Sequence, residues 1–312
     1  YNIFLLRTPF KDIIMEIKAL KYFLTMAKEG NITKAANYLN LTQPNLSRQI
    51  IKLERDIGKK LFIRSRHNIE LTPEGFLLKK RAEEIMDLID KTRADFKSNE
   101  KIIAGDIYIG GGETYAIELI AEIMKDIQEY YPNIIYHIQS GNYEDITEKL
   151  DKGLLDFGIL TEPSDLSKYE YIKMPVKDTW GILMRKKSKL SKKQFITRKD
   201  LLNLPLICSK QLMLNLFSNN NFSEWFKNDF NKLNIVATYN LIYNASVMVK
   251  AGLGYVIGFD KLINTSNSSL CFVPLKPKLE SGLNIVWKKN QVFSPASKIF
   301  LDKLYNKFEK NN

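Results

Sequence analysis

Gln43, Ser47 and Arg48 recur at one-turn spacing in a segment whose apolar residues Leu46, Ile50 and Leu53 cluster on the other side, taking about 100° per residue. A helix of that pattern packs with one face and keeps a polar face for reading. The major groove of B-DNA admits such a helix and presents a distinct donor and acceptor pattern for each base pair. Reading it needs polar, reachable side chains near the helix N-terminus. Gln43 can address adenine or a phosphate, and Arg48 can bridge the acceptors of guanine or grip a phosphate. Ser47 is small enough for close approach, Pro44 and Asn45 extend the contact, and Lys52 adds charge for the backbone. Each of these residues taken singly would suit the wet face of any amphipathic helix, so the reading rests on what surrounds them.

The surrounding elements are those a reading helix needs. Ile17, Leu20, Phe23, Leu24 and Ala27 share one face of a first helix that ends near Gly30. Asn31 and Thr33 are alternative N-caps for a short second helix carrying Ala35, Ala36 and Leu39, small enough there for another helix to cross closely. After the connection Asn40-Leu41, Thr42 is a natural N-cap and Pro44 is tolerated in the first turn, where its missing donor would be unpaired anyway. The third helix runs to about Ile57 and closes at Gly58. Apolar runs Leu61 to Ile63 and Ile69 to Leu71 then flank Arg64-Ser65-Arg66-His67-Asn68, a basic-tipped hairpin. Arg64, Arg66 and His67 would lie against phosphates or in the minor groove. Thr72-Pro73 opens a long helix in which Leu78, Ala82, Ile85, Ile89 and Phe96 alternate spacings of four and three, with Thr92 in the remaining seam position. That seam predicts a partner helix and dimerisation.

Charge follows the same segment. Between Met15 and Thr72 eleven basic residues face five acids, within a chain of formal charge +12, and the concentration of the excess there points to a polyanionic partner. The two cysteines, Cys208 and Cys271, and the two histidines, His67 and His137, have no metal-like spacing, which argues against zinc sites and disulfide frameworks. Gly110-Gly111-Gly112 lacks the lysine a phosphate loop would need, no glycine loop has dinucleotide or Walker spacing, and neither histidine lies near a nucleophile motif. These features predict a protein that is not an enzyme and needs no cofactor. No apolar run reaches membrane-spanning length. Residues 1–14 read as an upstream extension or a cloning remnant, without signal-peptide layout, with Met15 the natural start, and the expected location is cytoplasmic.

Beyond Gly105 strands and helices alternate. Ile107 to Ile109, the glycine run, a helix with Ile117, Ile120, Ala121, Met124 and Ile127 inward, strand Ile134 to Gln139, a helix with Tyr143, Ile146 and Leu150, and strand Phe157 to Leu160 imply a parallel sheet with helical crossovers. Hinge positions near Pro175 and Pro274 fit a second subdomain inserted into the first. The expected domains are a DNA-binding domain over 15–72 (helix-turn-helix about 32–51), a linker helix over 73–101, and an effector domain over 102–312. Within the last, subdomain I is 102–175 with 276–312 and subdomain II is 176–275. Ligands of open parallel sheets bind beyond the strand C-termini, where helix N-termini offer donors. Gly112, Glu113, Thr114 and Tyr115 follow the first strand, Ser140 and Gly141 the second, and Thr161 and Glu162 the third. Glu113 and Glu162 there argue against a simple dicarboxylate effector.

Asn31-Ile-Thr-Lys-Ala-Ala, Leu41-Thr-Gln-Pro-Asn-Leu-Ser-Arg-Gln-Ile, Leu53-Glu, Gly58, Leu61-Phe62 and Leu71-Thr-Pro-Glu-Gly75 closely resemble the LysR-type transcriptional regulators. The resemblance runs from about Met15 to the C-terminus. It implies an N-terminal all-α winged helix-turn-helix with a long dimerising linker helix, followed by a C-terminal α/β effector domain of two Rossmann-like subdomains, shaped like periplasmic binding proteins. It places DNA reading on Gln43, Pro44, Ser47 and Arg48 with a wing arginine at Arg64 or Arg66, and it borders the effector cleft with Tyr243, Asn244 and Ala245. Proline followed by Ala or Thr is commoner there than the Asn45 of this chain, a difference that touches base preference. The implied partners are promoter or operator DNA, further copies as homodimer or homotetramer, a small-molecule co-inducer of unknown identity, and RNA polymerase. The expected function is ligand-responsive, sequence-specific regulation of transcription. An architectural DNA protein without effector, or a DNA-tethered enzyme, is the alternative.

Overall fold

The computed structural model describes residues 15–64, 69–95, 103–210, 212, 221–226 and 232–308. The chain divides into one unit ending at Arg93 and a second beginning at Ala94. The expected residues 1–14, Arg66, His67 and Phe96 lie outside the described residues.

In the first unit, α1 (Ile17–Glu29), α2 (Ile32–Tyr38) and α3 (Gln43–Ile57) pack through Leu20, Phe23, Met26, Ala35, Ala36, Leu46, Ile50 and Leu53, all at most 2% exposed. The choice of cap for α2 falls to Asn31, whose side chain accepts from the backbone N–H of Thr33 at 2.9 Å and of Lys34 at 3.1 Å. Thr33 is therefore inside the helix. Asn40 turns the chain between α2 and α3 at φ 53°, a left-handed conformation that Asn tolerates better than most residues. Thr42 occupies the N-cap position of α3, but its hydroxyl makes no capping bond. Pro44, second in the helix, lacks one of the two backbone donors an N-cap side chain would use.

The strands β1 (Phe62–Arg64) and β2 (Ile69–Leu71) pair antiparallel, Phe62 with Leu71 and Arg64 with Ile69. The N–H of Ile69 donates to the Gly30 carbonyl, which ties the hairpin to the end of α1. The helix α4 (Pro73–Asp95) follows, with the Thr72 hydroxyl accepting from the N–H of Gly75 at 2.9 Å. Gly75 is the only residue type that fits there: a Cβ would lie 2.2 Å from the Leu61 carbonyl oxygen. Of the expected seam, Ala82 is fully buried in the core of its own unit and Leu78 and Ile85 pack against that core while staying half-buried; the exposed apolar side chains of α4 are Phe76, Leu77 and Leu88. Ile89 is half-buried. A repeat of fours and threes marks an apolar stripe but not which neighbour covers it.

The second unit is built on one nine-stranded sheet. Strands β3 (Gly105–Gly111), β4 (Ile134–Ser140) and β5 (Phe157–Thr161) run parallel, with α5 (Ile117–Tyr130) and α6 (Tyr143–Asp151) as crossovers. Then β6 (Tyr169–Arg185) runs on through seventeen residues into the other half of the sheet. That half holds α7 (Arg198–Leu201), β7 (Pro205–Ser209), α8 (Asn221–Phe226), β8 (Asn234–Tyr239), α9 (Ile242–Ala251), β9 (Tyr255–Phe259) and β10 (Leu270–Pro274). The chain returns through β11 (Glu280–Lys288) and ends in α10 (Pro295–Phe308). Two cores result. Ile107, Ile120, Phe157, Trp287 and Phe300 centre one, and Ile182, Leu206, Cys208, Phe226 and Ile257 the other.

Two features add to what the sequence implied for this unit. The sheet is mixed, because β11 is antiparallel to both β5 and β6, and β9 is antiparallel to β6. Pro175 lies within β6, between the residues that strand gives to one core, Ile172 and Met174, and those it gives to the other, Trp180 and Ile182. It sits where the β6–β11 register shifts between Gly282 and Asn284, a place where a residue without an N–H costs no ladder bond. Among the described residues, no helix is long and apolar enough to cross a membrane.

Candidate DNA interface and effector cleft

Gln43, Pro44, Arg48, Ile51 and Lys52 form the exposed side of α3, with Asn45 and Ser47 half-buried beside them. The structure thus gathers the expected reading residues on one helical face, with Leu46 and Ile50 fully buried behind it. Arg48 Nε donates to the Pro44 carbonyl at 3.4 Å, so the side chain lies along its own helix. Asn31, as the cap of α2, serves the fold directly, and Thr33 and Thr42 are exposed beside it and at the start of α3. Arg64 closes β1.

Lys52 differs from expectation in its surroundings. Its ammonium donates to Glu16 Oε1 at 2.7 Å. That bond holds the Glu16 carboxyl below its ordinary value and raises the lysine. A phosphate at this place would compete with a carboxylate of the same chain.

A residue that sequence reasoning passed over holds the wing. Glu54, 4% exposed, accepts from the backbone N–H of Leu61 at 3.0 Å and of Phe62 at 3.4 Å, and from Lys60 Nζ at 2.9 Å. Burial pushes its carboxyl up, and the Lys60 ammonium with the two amides outweighs that, so the group stays below its ordinary value. The carboxylate is the joint between the reading helix and the hairpin. Its sequence signals were an acid placed directly after the core residue Leu53 and its part in the Leu53-Glu motif, neither of which gives it a role.

In the second unit two adjoining chambers open at the C-terminal ends of the strands, where the crevice rule places a ligand. The more polar one, about 80 Å³, lies between the two halves and is lined by Gly112, Glu113, Gly141, Asn142, Thr161 and, from the far side, Trp180, Ser209, Lys210, Tyr239, Asn240, Ile242 and Phe259. The second, about 180 Å³, sits against the first half and is mainly apolar, with Ile109, Ile117, Ile138 and Ile159 beside Gly111, Thr114 and Ser140. Both share Gly112, Glu113 and Leu262.

Glu113 bridges the halves. Its Oε2 accepts the N–H of Ile242, first residue of α9, at 2.5 Å. The N-cap residue Leu241 has no side chain to do this, so a carboxylate from the opposite wall satisfies one of the donors a helix start leaves open. Lys261 Nζ lies 4.4 Å over the Tyr115 ring, a second link across the halves. Beneath them Asp178, 4% exposed on β6, is pushed up by burial while the Thr114 hydroxyl and the Tyr115 amide favour its charged form. Trp180 packs against Phe259 with centroids 4.3 Å apart and the rings tilted by 57°, and donates from Nε1 to Ser281. The Tyr239 hydroxyl donates to the Ile257 carbonyl, and its burial pushes its pKa far up.

Of the residues expected at the cleft, Gly112, Glu113, Thr114, Ser140, Gly141 and Thr161 line the chambers. The others are corrected. Tyr115 lies outside both chambers, under Lys261. Glu162 turns to Lys173 Nζ and Asn284 Nδ2, each at 3.3 Å. Tyr243 and Asn244 face solvent on α9, and Ala245 is fully buried in the core beneath it. A first-turn helix residue points by its place in the turn, and only Ile242 of this stretch meets the cleft. Ser209 and Tyr239, which end β7 and β8, and Lys210 and Asn240, which directly follow them, were missed; the strand C-terminus rule finds them once those strands are delimited.

Comparison with known proteins gives matches over both units. Residues 17–76 match the family model described as bacterial regulatory helix-turn-helix protein, lysR family. Residues 102–309 match the LysR substrate binding domain. The chain is 26% identical over 290 residues to the uncharacterized HTH-type transcriptional regulator YybE of Bacillus subtilis, covering 92% of this chain and 97% of the relative. It is 30% identical over 194 residues to YvbU of the same organism, covering 62% of this chain and 65%, just under two thirds, of that protein. Among solved structures, full-length CbnR complexed with its target DNA superposes with a TM-score of 0.72 at 18% identity, over 94% of this chain and 99% of the other; that likeness is one of fold.

Proposed function

The chain belongs to the LysR family of bacterial helix-turn-helix transcriptional regulators, and from that premise we propose a ligand-responsive regulator that reads an operator through α3 and takes a small effector in the cleft of its second unit. The family is one of regulators, not of enzymes. The observation that carries the reading is the pair of chambers whose walls come from both halves of the sheet and meet through Glu113 and Ile242. A ligand that contacts both walls changes the balance between their closed and open arrangements, by as much as its affinities for the two differ.

Gln43, Pro44, Asn45, Ser47 and Arg48 supply base and phosphate contacts, and the hairpin adds backbone contacts. The regulator acts as a homodimer or homotetramer on double-stranded operator DNA and hands the outcome to RNA polymerase. Leu77 and Leu88, both exposed and eleven residues apart, lie on one side of α4, about three turns apart, and supply an apolar face for self-association.

A thermal-shift screen of small metabolites, followed by footprinting with and without each hit, tests the proposal. It stands if a stabilising ligand alters the footprint, and it fails if every stabilising ligand leaves it unchanged.

A further inference from the structure

We propose that the effector is a small compound with an ammonium group beside an apolar body, the body in the side chamber and the ammonium at Glu113. This deepens the reading of the cleft as an effector site and rests on it.

The side chamber sets the body. Its volume is about 180 Å³ and its walls carry Ile109, Ile117, Ile138, Ile159 and Leu262. An apolar cavity of roughly 150 Å³ takes a molecule the size of benzene, and drug-sized ligands need about 300 Å³ or more. A branched chain of four or five carbons or a single ring fits that space.

Glu113 sets the head. It lines both chambers and is, among the described residues, the only charged one lining the side chamber, so it stands where a ligand seated there reaches the second chamber. Its Oε2 already accepts the first N–H of α9. The donor that would attract an anionic head is therefore occupied by a carboxylate of the chain itself, and an acid placed there would meet a like charge in a narrow space. An ammonium meets the opposite charge and can use the remaining carboxylate oxygen. Lys210, the other charged residue lining the polar chamber, stands ready for a carboxylate further along the same ligand. An apolar amine and an apolar amino acid thus share the recognising chemistry, and the experiment separates them.

Calorimetry on the full-length protein with 3-methylbutylamine, L-leucine and 4-methylpentanoate tests this directly. The expected result is that at least one ammonium compound binds about tenfold or more tighter than the acid, as an opposite charge nearby favours the charged form by that much or more. Tighter binding of L-leucine identifies an amino-acid site using Lys210, and tighter binding of the amine identifies a simple amine site. Glu113→Gln keeps an oxygen for the Ile242 N–H and removes the charge, so it should erase the preference. Ile138→Trp, which fills the side chamber, should abolish binding of all three with Glu113 intact. Binding of the acid as tightly as the ammonium compounds, or binding of none of the three, overturns the assignment. The wider reading of the protein as ligand-responsive fails on a separate result, a DNA footprint indifferent to every ligand that stabilises the protein.

Discussion

Replacing Glu54 tests whether the wing is held by one buried carboxylate. In Glu54→Ala the N–H groups of Leu61 and Phe62 lose their acceptor while both residues stay buried, at 0% and 5% exposure. A hydrogen bond to a charged group is worth about 1.5–3 kcal/mol. The Leu61 bond at 3.0 Å counts in full and the Phe62 bond at 3.4 Å for less. The Lys60 ammonium is 77% exposed and returns to water at little cost. The expected loss is about 2–4 kcal/mol of local stability, against a typical total of about 5–15 kcal/mol for a domain. The carboxyl has a lower pKa folded than its ordinary value of 4.5. Its contribution is therefore present above the unfolded value and lost as pH falls through the folded one. Glu54→Gln should flatten that acid limb and cost less at neutral pH than Ala. Hydrogen exchange of peptides spanning Leu61 and Phe62 in the full-length protein, run from acid to neutral pH, reads the effect where it arises. Unchanged exchange in Glu54→Ala, or an acid limb that survives in Glu54→Gln, would refute the reasoning.

Other consequences follow from the same two units. Arg48→Ala should weaken binding to an operator selected from random DNA by about 1–3 kcal/mol and relax the sequence preference, which competition binding measures. Glu16→Gln removes the partner of Lys52 and should steepen the salt dependence of binding to non-specific duplex by about one phosphate contact; an unchanged slope means Lys52 does not reach DNA. Gly75→Ala drives a Cβ against the Leu61 carbonyl and should cost about 1–3 kcal/mol, lowering the unfolding midpoint and loosening the hairpin at once.

The order of elements, the reading face and the presence of a cleft were legible in the sequence because each depends on local chemistry. A polar face on α3, Asn40 in a tight turn and strands separated by helices follow from spacing and residue type within a few turns of chain. What covers a stripe is a different matter. Leu78, Ala82 and Ile85 carried the pattern of an apolar seam, and the fold buries Ala82 in the core of its own unit with Leu78 and Ile85 packed against it, since periodicity records an apolar face without its neighbour. Lys52 reads as a free cation until Glu16 is brought beside it from thirty-six residues away. Glu113 and Ile242 lie 129 residues apart, and no local rule joins a loop after β3 to the first turn of α9. Only the tertiary structure decided that pairing. The donors of a helix start must find a partner once they are shielded from water, and the nearest carboxylate came from the opposite wall.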